Sequence, residues 1–89
     1  MASLYIVSTP IGNLGDISRR AVEVLGACDV VLAEDTRRSG VLLKLLGVSA
    51  RLISAHEHNQ ASRATLVIEI LREGRDVAMV TDAGTPLLS

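Results

Sequence analysis

Short runs rich in β-branched residues alternate with stretches of helical period along this chain, and that alternation constrains the fold more than any other feature. The runs cover residues 4–8, 30–33, 51–54 and 76–81. Strands separated by helices of this length must be parallel, because the crossover reverses the chain once and a right-handed return puts the next strand alongside. The expected fold class is α/β, a parallel sheet of about four strands with helical crossovers. All four strand ends then gather on one edge of one sheet, where open α/β sheets bind their ligands.

The helices between the strands are read from their apolar spacing and from glycines at the positions where left-handed caps belong. The first starts near Asp16 or Ser18, places Ile17, Ala21, Val24, Leu25 and Cys28 on one side, and is closed by Gly26. A second, from about Arg38, is expected to bury Val41, Leu42, Leu45 and Leu46 and to end at Gly47. The third, from about Gln60, presents Ala64, Val67, Ile68 and Leu71 and ends at Gly74.

With 89 residues there is room for one domain and one core. A polar turn begins only a few residues before Ser89, so the chain reads as the incomplete amino-terminal domain, residues 1–89, of a longer protein. No apolar run is long enough to span a bilayer as a helix, and the first residues lack the basic start of a signal peptide, so a cytoplasmic protein is expected. The single cysteine, Cys28, excludes an internal disulfide and reads as a small core residue. A formal charge of −1 and one aromatic residue, Tyr5, supply neither a phosphate-binding field nor a row of stacking platforms. Contact with RNA would rest on local arginines such as Arg19, Arg20, Arg37 and Arg38, or on a part of the protein beyond this chain.

Each strand end carries a polar cluster. The turn after the first strand has Gly12 and Gly15 in a G-x-x-G spacing, without the remaining glycine of a dinucleotide fingerprint or the Lys of a P-loop. Glu34 and Asp35 follow the second strand. Either can act as a general base beside Arg37, or one can cap the next helix while the other pairs with an arginine; Asp35 or Thr36 is the better cap, which leaves Glu34 the freer acid. His56 and His58 have an H-x-H spacing but no third His or Cys nearby, so no metal is expected, and Asn59 is placed to cap the third helix. After the fourth strand comes Asp82-Ala83-Gly84-Thr85-Pro86, a turn in which glycine lets backbone approach a ligand.

Taken together, Tyr5-Ile6-Val7-Ser8-Thr9-Pro10-Ile11-Gly12-Asn13-Leu14-Gly15-Asp16-Ile17, Ala33-Glu34-Asp35-Thr36-Arg37, His56-Glu57-His58-Asn59 and Asp82-Ala83-Gly84-Thr85-Pro86 resemble the amino-terminal domain of the tetrapyrrole (corrin/porphyrin) methylase superfamily, in particular its ribosomal RNA branch. The resemblance covers the whole chain, with the motifs in order. It implies an S-adenosylmethionine-dependent methyltransferase with two α/β domains, a cofactor held between them, and a homodimeric state. For the rRNA branch it implies methylation of a ribose 2′-hydroxyl of a cytidine in small-subunit rRNA, with the ribosomal subunit as partner.

By position, the resemblance assigns cofactor contacts to Ala83, Gly84, Thr85 and Leu88, and to Ile11 in the first loop. Substrate contacts are expected in the first loop at Thr9, Pro10, Gly12 and Asn13 and, from their polar chemistry at strand ends rather than from the resemblance, at Arg37, His56, His58 and Asn59. Glu34 aligns with an aspartate proposed as proton acceptor in some members, with Asp35 as the second catalytic candidate. The chain departs from the tetrapyrrole enzymes at Pro10 and Ile11, which stand where those enzymes have Gly and Pro, and at Thr85, which replaces an acid. Two other readings stay open here: a methylase of the same superfamily acting on a tetrapyrrole or another small molecule, and a non-catalytic binding or dimerisation module. The 89 residues alone are expected to be inactive.

Overall fold

The computed structural model describes residues 2–9, 14–56 and 58–82. Strand β1 spans Leu4–Thr9 and, after a short 3-10 turn at Leu14–Asp16, helix α1 spans Arg19–Ala27. Then follow β2 (Val30–Ala33), α2 (Thr36–Leu46), β3 (Arg51–Ser54), α3 (Gln60–Arg72) and β4 (Val77–Asp82). The expected α/β class and the four strands are present, and every strand pair is parallel.

The strand order is β1-β4-β2-β3, which corrects the expectation that each strand lies alongside its predecessor. β4 separates β1 from β2. It pairs with both, Val77 standing opposite Leu4 on one side and Val30 on the other. The sequence of β4 suits a central position, since Val77 and Ala78 are fully buried and Val80 nearly so.

This order decides where the helices go. From β1 through β2 to β3 the chain moves one way along the sheet, and from β3 to β4 it returns. With the same right-handed crossover, helices on the outward and return paths fall on opposite faces. Val7, Val31, Ala33, Ala78 and Val80 accordingly pack with Ala21, Val24 and Leu25 of α1 and Leu42 and Leu43 of α2. On the other face Val30 and Val77 meet Ile70, and Leu32 meets Val67, both from α3. The period-two alternation within β2 and β4 sorts these contacts. Burying a side chain such as Leu25 or Leu32 stabilises the fold by about 1.5–3 kcal/mol each.

Capping fixes the helix starts. The Ser18 hydroxyl oxygen accepts from the Ala21 N–H at 3.1 Å, an Asp35 carboxylate oxygen from Arg38 at 3.0 Å, and the Asn59 side-chain oxygen from Ser62 at 2.8 Å. Helix α2 begins at Thr36 rather than Arg38, and its inward stripe is Ser39, Leu42, Leu43 and half-buried Leu46, with the polar Ser39 holding a core-facing position. Val41 and Leu45, expected in the core, are 55% and 70% exposed. On α3 the buried residues are Val67 and Ile70, while Ala64 and Ile68 are exposed. Gly47 and Gly74 take left-handed φ of 70° and 82° as helix terminators do. Gly26 does not: it lies inside α1, whose carboxyl cap is Cys28.

Candidate functional site

Opposite ends of the sheet are built differently. At its amino end, carboxylates hold backbone amides: Asp76 accepts from the Ser3 N–H at 2.8 Å and Asp29 from the Asp76 N–H at 3.0 Å. These acids knit strand starts together. Cys28 lies close by, and its thiol is pushed up by burial first and by the Asp76 and Asp29 carboxylates second.

At the carboxyl end Thr9 and Thr81 are buried, while Glu34, Asp35 and His56 are exposed. Ala33 and Ser54 are paired at the ends of β2 and β3, yet the chain leaving β2 enters α2 on one face while that leaving β3 enters α3 on the other. Neighbouring parallel strands whose connections diverge in this way open a crevice, the position at which α/β sheets bind ligands. Glu34 stands on one side of it and His56, His58 and Asn59 on the other.

Glu34 is exposed and has no hydrogen-bond or ion-pair partner among the described residues. Asp35, directly after it, is engaged in capping α2 through the Arg38 amide. Of the two acids only Glu34 is uncommitted. Arg37 is exposed on the first turn of α2, on the same side of the crevice.

Across the crevice, His56 is exposed and His58 half-buried, with the His58 N–H donating to the Ala55 carbonyl at 3.2 Å. Asn59 caps α3, as its sequence position suggested. Among the described residues there is no group of three or more His, Cys, Asp or Glu able to hold a metal. A further participant went unread in the sequence: Nη2 of Arg63 donates to the carbonyls of Ala55 at 3.0 Å and His58 at 3.3 Å. The signal that could have found it is a cation in the first turn of a helix, where the dipole disfavours positive charge.

Thr9 is buried, and its hydroxyl donates to the Thr81 carbonyl at 3.1 Å, so it joins β1 to β4. Thr9 stands opposite Asp82 in the parallel register, so β1 and β4 end side by side. The expectations for Pro10, Ile11, Gly12, Asn13, Ala83, Gly84, Thr85 and Leu88 lie outside the described residues. An apolar trough lies elsewhere, between β1 and α3, lined by Leu4, Ile6, Val67, Ile68 and Met79. It offers almost no polar group beyond Gln60 and Arg63, so it is unsuited to acid–base chemistry.

A profile of the tetrapyrrole (corrin/porphyrin) methylases matches residues 3–89. The chain belongs to that family. Among curated relatives, ribosomal RNA small subunit methyltransferase I of Escherichia coli O157:H7 is 54% identical over 97% of this chain and 30% of its own length. The protein of the same description from Micromonospora olivasterospora is 54% identical over 98% of the chain and 28% of its length. Within the solved tetrapyrrole methylases, uroporphyrin-III-C-methyltransferase from Thermus thermophilus superposes with a TM-score of 0.77 at 28% identity, over 98% of this chain and 37% of that one. The chain thus spans about 30% of the length of the curated relatives it matches. Among the described residues no helix is long and apolar enough to cross a membrane.

Proposed function

We propose that the full-length protein is an S-adenosylmethionine-dependent methyltransferase acting on a ribose 2′-hydroxyl of a cytidine in small-subunit ribosomal RNA. The observation that carries this reading is the divergence of the chain leaving β2 from that leaving β3, with an uncommitted carboxylate on one side and His56 and His58 on the other. Identity of about 50% to proteins described as ribosomal RNA small subunit methyltransferase I supports the substrate. Bound S-adenosylmethionine supplies an electrophilic methyl group on a sulfonium.

The residues of this chain supply position and a proton acceptor. In-line displacement needs the acceptor oxygen held at the methyl carbon and relieved of its proton, and one carboxylate suffices for that without a metal. Glu34 takes the 2′-hydroxyl proton. Arg37 engages a phosphate, and His56, His58 and Asn59, with Pro10, Gly12 and Asn13 of the first loop, contact the RNA. Recognition through the 2′-hydroxyl restricts the reaction to RNA. Ile11, Ala83, Gly84, Thr85 and Leu88 hold the cofactor, in a cleft shared with a second α/β domain. The protein works as a cytoplasmic homodimer.

Incubating the full-length protein with methyl-labelled cofactor and either small ribosomal subunits or a tetrapyrrole precursor tests the reading. Label in rRNA that survives alkaline hydrolysis as a 2′-O-methylated dinucleotide is the expected result. Label in the tetrapyrrole and none in the subunit would overturn it. The 89-residue chain alone is expected to be inactive and to bind the cofactor weakly, and calorimetric titration reads that directly.

A further inference from the structure

Arg63 occupies a position that ordinary helix energetics disfavours. It lies in the first turn of α3, at the positive end of the helix dipole, and is partly buried where the apolar trough meets the sheet edge. Two carbonyl oxygens make the position tenable. The Ala55 carbonyl accepts from Nη2 at 3.0 Å and the His58 carbonyl at 3.3 Å, both charge-assisted bonds.

These two carbonyls bracket the histidine loop. Ala55 is fully buried and continues the β2–β3 ladder, its N–H donating to the Ala33 carbonyl at 2.7 Å. His58 is three residues on, already in the connection. One nitrogen therefore ties the fixed strand to the loop that leaves it, reinforcing the backbone bond from the His58 N–H to the Ala55 carbonyl at 3.2 Å. The Asn59 cap cannot do this, because its bonds run forward to Ser62 and, through its backbone carbonyl, to Arg63. Nε of Arg63 is buried without a partner among the described residues, so the guanidinium is oriented for the loop rather than for its own full satisfaction.

We propose that Arg63 is a positioning residue, which sets the placement of His58 and, on either side of it, His56 and Asn59 at the crevice, and through it the affinity for the RNA substrate. The inference rests on the functional reading above for its substrate, and on the hydrogen bonds alone for its effect on the loop. A residue of this kind leaves the chemical step and the cofactor site intact. It alters how well the RNA is held.

The test uses the full-length protein with Arg63→Gln, whose shorter side chain cannot span both carbonyls, and Arg63→Lys, which keeps the charge and several donors. Amide exchange in a peptide covering residues 55–59 is expected to accelerate by roughly 10-fold or more in Arg63→Gln, with peptides from β2 and α2 unchanged. In steady-state methylation of small subunits, KM is expected to rise by about 10-fold or more while kcat stays within about 3-fold and cofactor affinity is unaltered. Arg63→Lys should recover part of both effects. Unchanged exchange in the loop, or a fall in kcat and melting temperature together at constant KM, overturns the proposal. Wild-type protein that fails to methylate subunits would sink the substrate reading instead, and the exchange measurement would still decide whether Arg63 holds the loop.

Discussion

The Thr9 hydroxyl donates to the carbonyl oxygen of Thr81 at 3.1 Å, across 72 residues of chain. This bond closes the β1–β4 pair where both strands reach the carboxyl edge. Thr9→Val keeps the shape of the side chain and removes the donor, so it is expected to cost about 0.5–1.5 kcal/mol, while Thr9→Ser retains most of the stability. Urea unfolding of the three proteins measures the difference. Equal midpoints for Thr and Val would show that the bond contributes nothing.

Glu34 and Asp35 are expected to respond oppositely. In the full-length enzyme Glu34→Gln should lower kcat by roughly 10²- to 10⁴-fold with little change in cofactor affinity or melting temperature. Asp35→Ala should lose about 1 kcal/mol of stability with the cap, and Asp35→Asn should restore it. Single-turnover methylation run beside thermal melts separates the two roles. Wild-type rates in Glu34→Gln would remove that residue from the mechanism.

Two glycines that look alike in the sequence should have opposite signs. Gly26 is inside α1, where an added Cβ meets open space, so Gly26→Ala is expected to stabilise by about 0.5–1 kcal/mol. Gly47 holds φ at 70°, and Gly47→Ala is expected to destabilise by about 1 kcal/mol or more. Chemical denaturation checks both signs in one experiment.

Cys28 links stability to alkaline pH. Its folded thiol is raised above the unfolded value by burial and by the Asp76 and Asp29 carboxylates. The unfolded chain therefore loses this proton first, at about pH 8.5. The thiol's contribution is intact below that pH and is lost as pH rises through the folded value. Unfolding midpoints measured from neutral to alkaline pH should fall more steeply for the native protein than for Cys28→Ala. Parallel curves would assign the decline to other groups.

The strands were legible because β-branched runs bounded by polar turns leave little choice of structure. Asp35 and Asn59 were legible as caps because their short side-chain oxygens reach an amide three residues on, whereas the first helix start stayed open between Asp16 and Ser18 until the Ser18 bond to Ala21 fixed it. The inward face of α2 was not. Ser39 takes a core-facing slot, so a reading that follows apolar residues alone rotates the stripe onto Val41 and Leu45. Gly26 misled for a similar reason: a glycine near a helix end can be a terminator or merely a small residue, and only φ distinguishes them.

Strand order was illegible locally, because β4 enters between β1 and β2 through contacts that no neighbouring residues encode. With it went the crevice between β2 and β3, which depends on helices lying on opposite faces. The candidate residues Glu34, His56, His58 and Asn59 were visible as polar clusters at strand ends. Which of them share a crevice emerged only from the order.

Among the described strands β1 pairs with β4 alone, and its trough-side residues Leu4 and Ile6 are 42% and 51% exposed. An outer strand that is apolar on one side and unpaired along one edge is a template for further strands. Handled as an isolated 89-residue chain, the protein is therefore expected to have a colloidal limit as well as a thermodynamic one, with self-association through β1 growing with concentration.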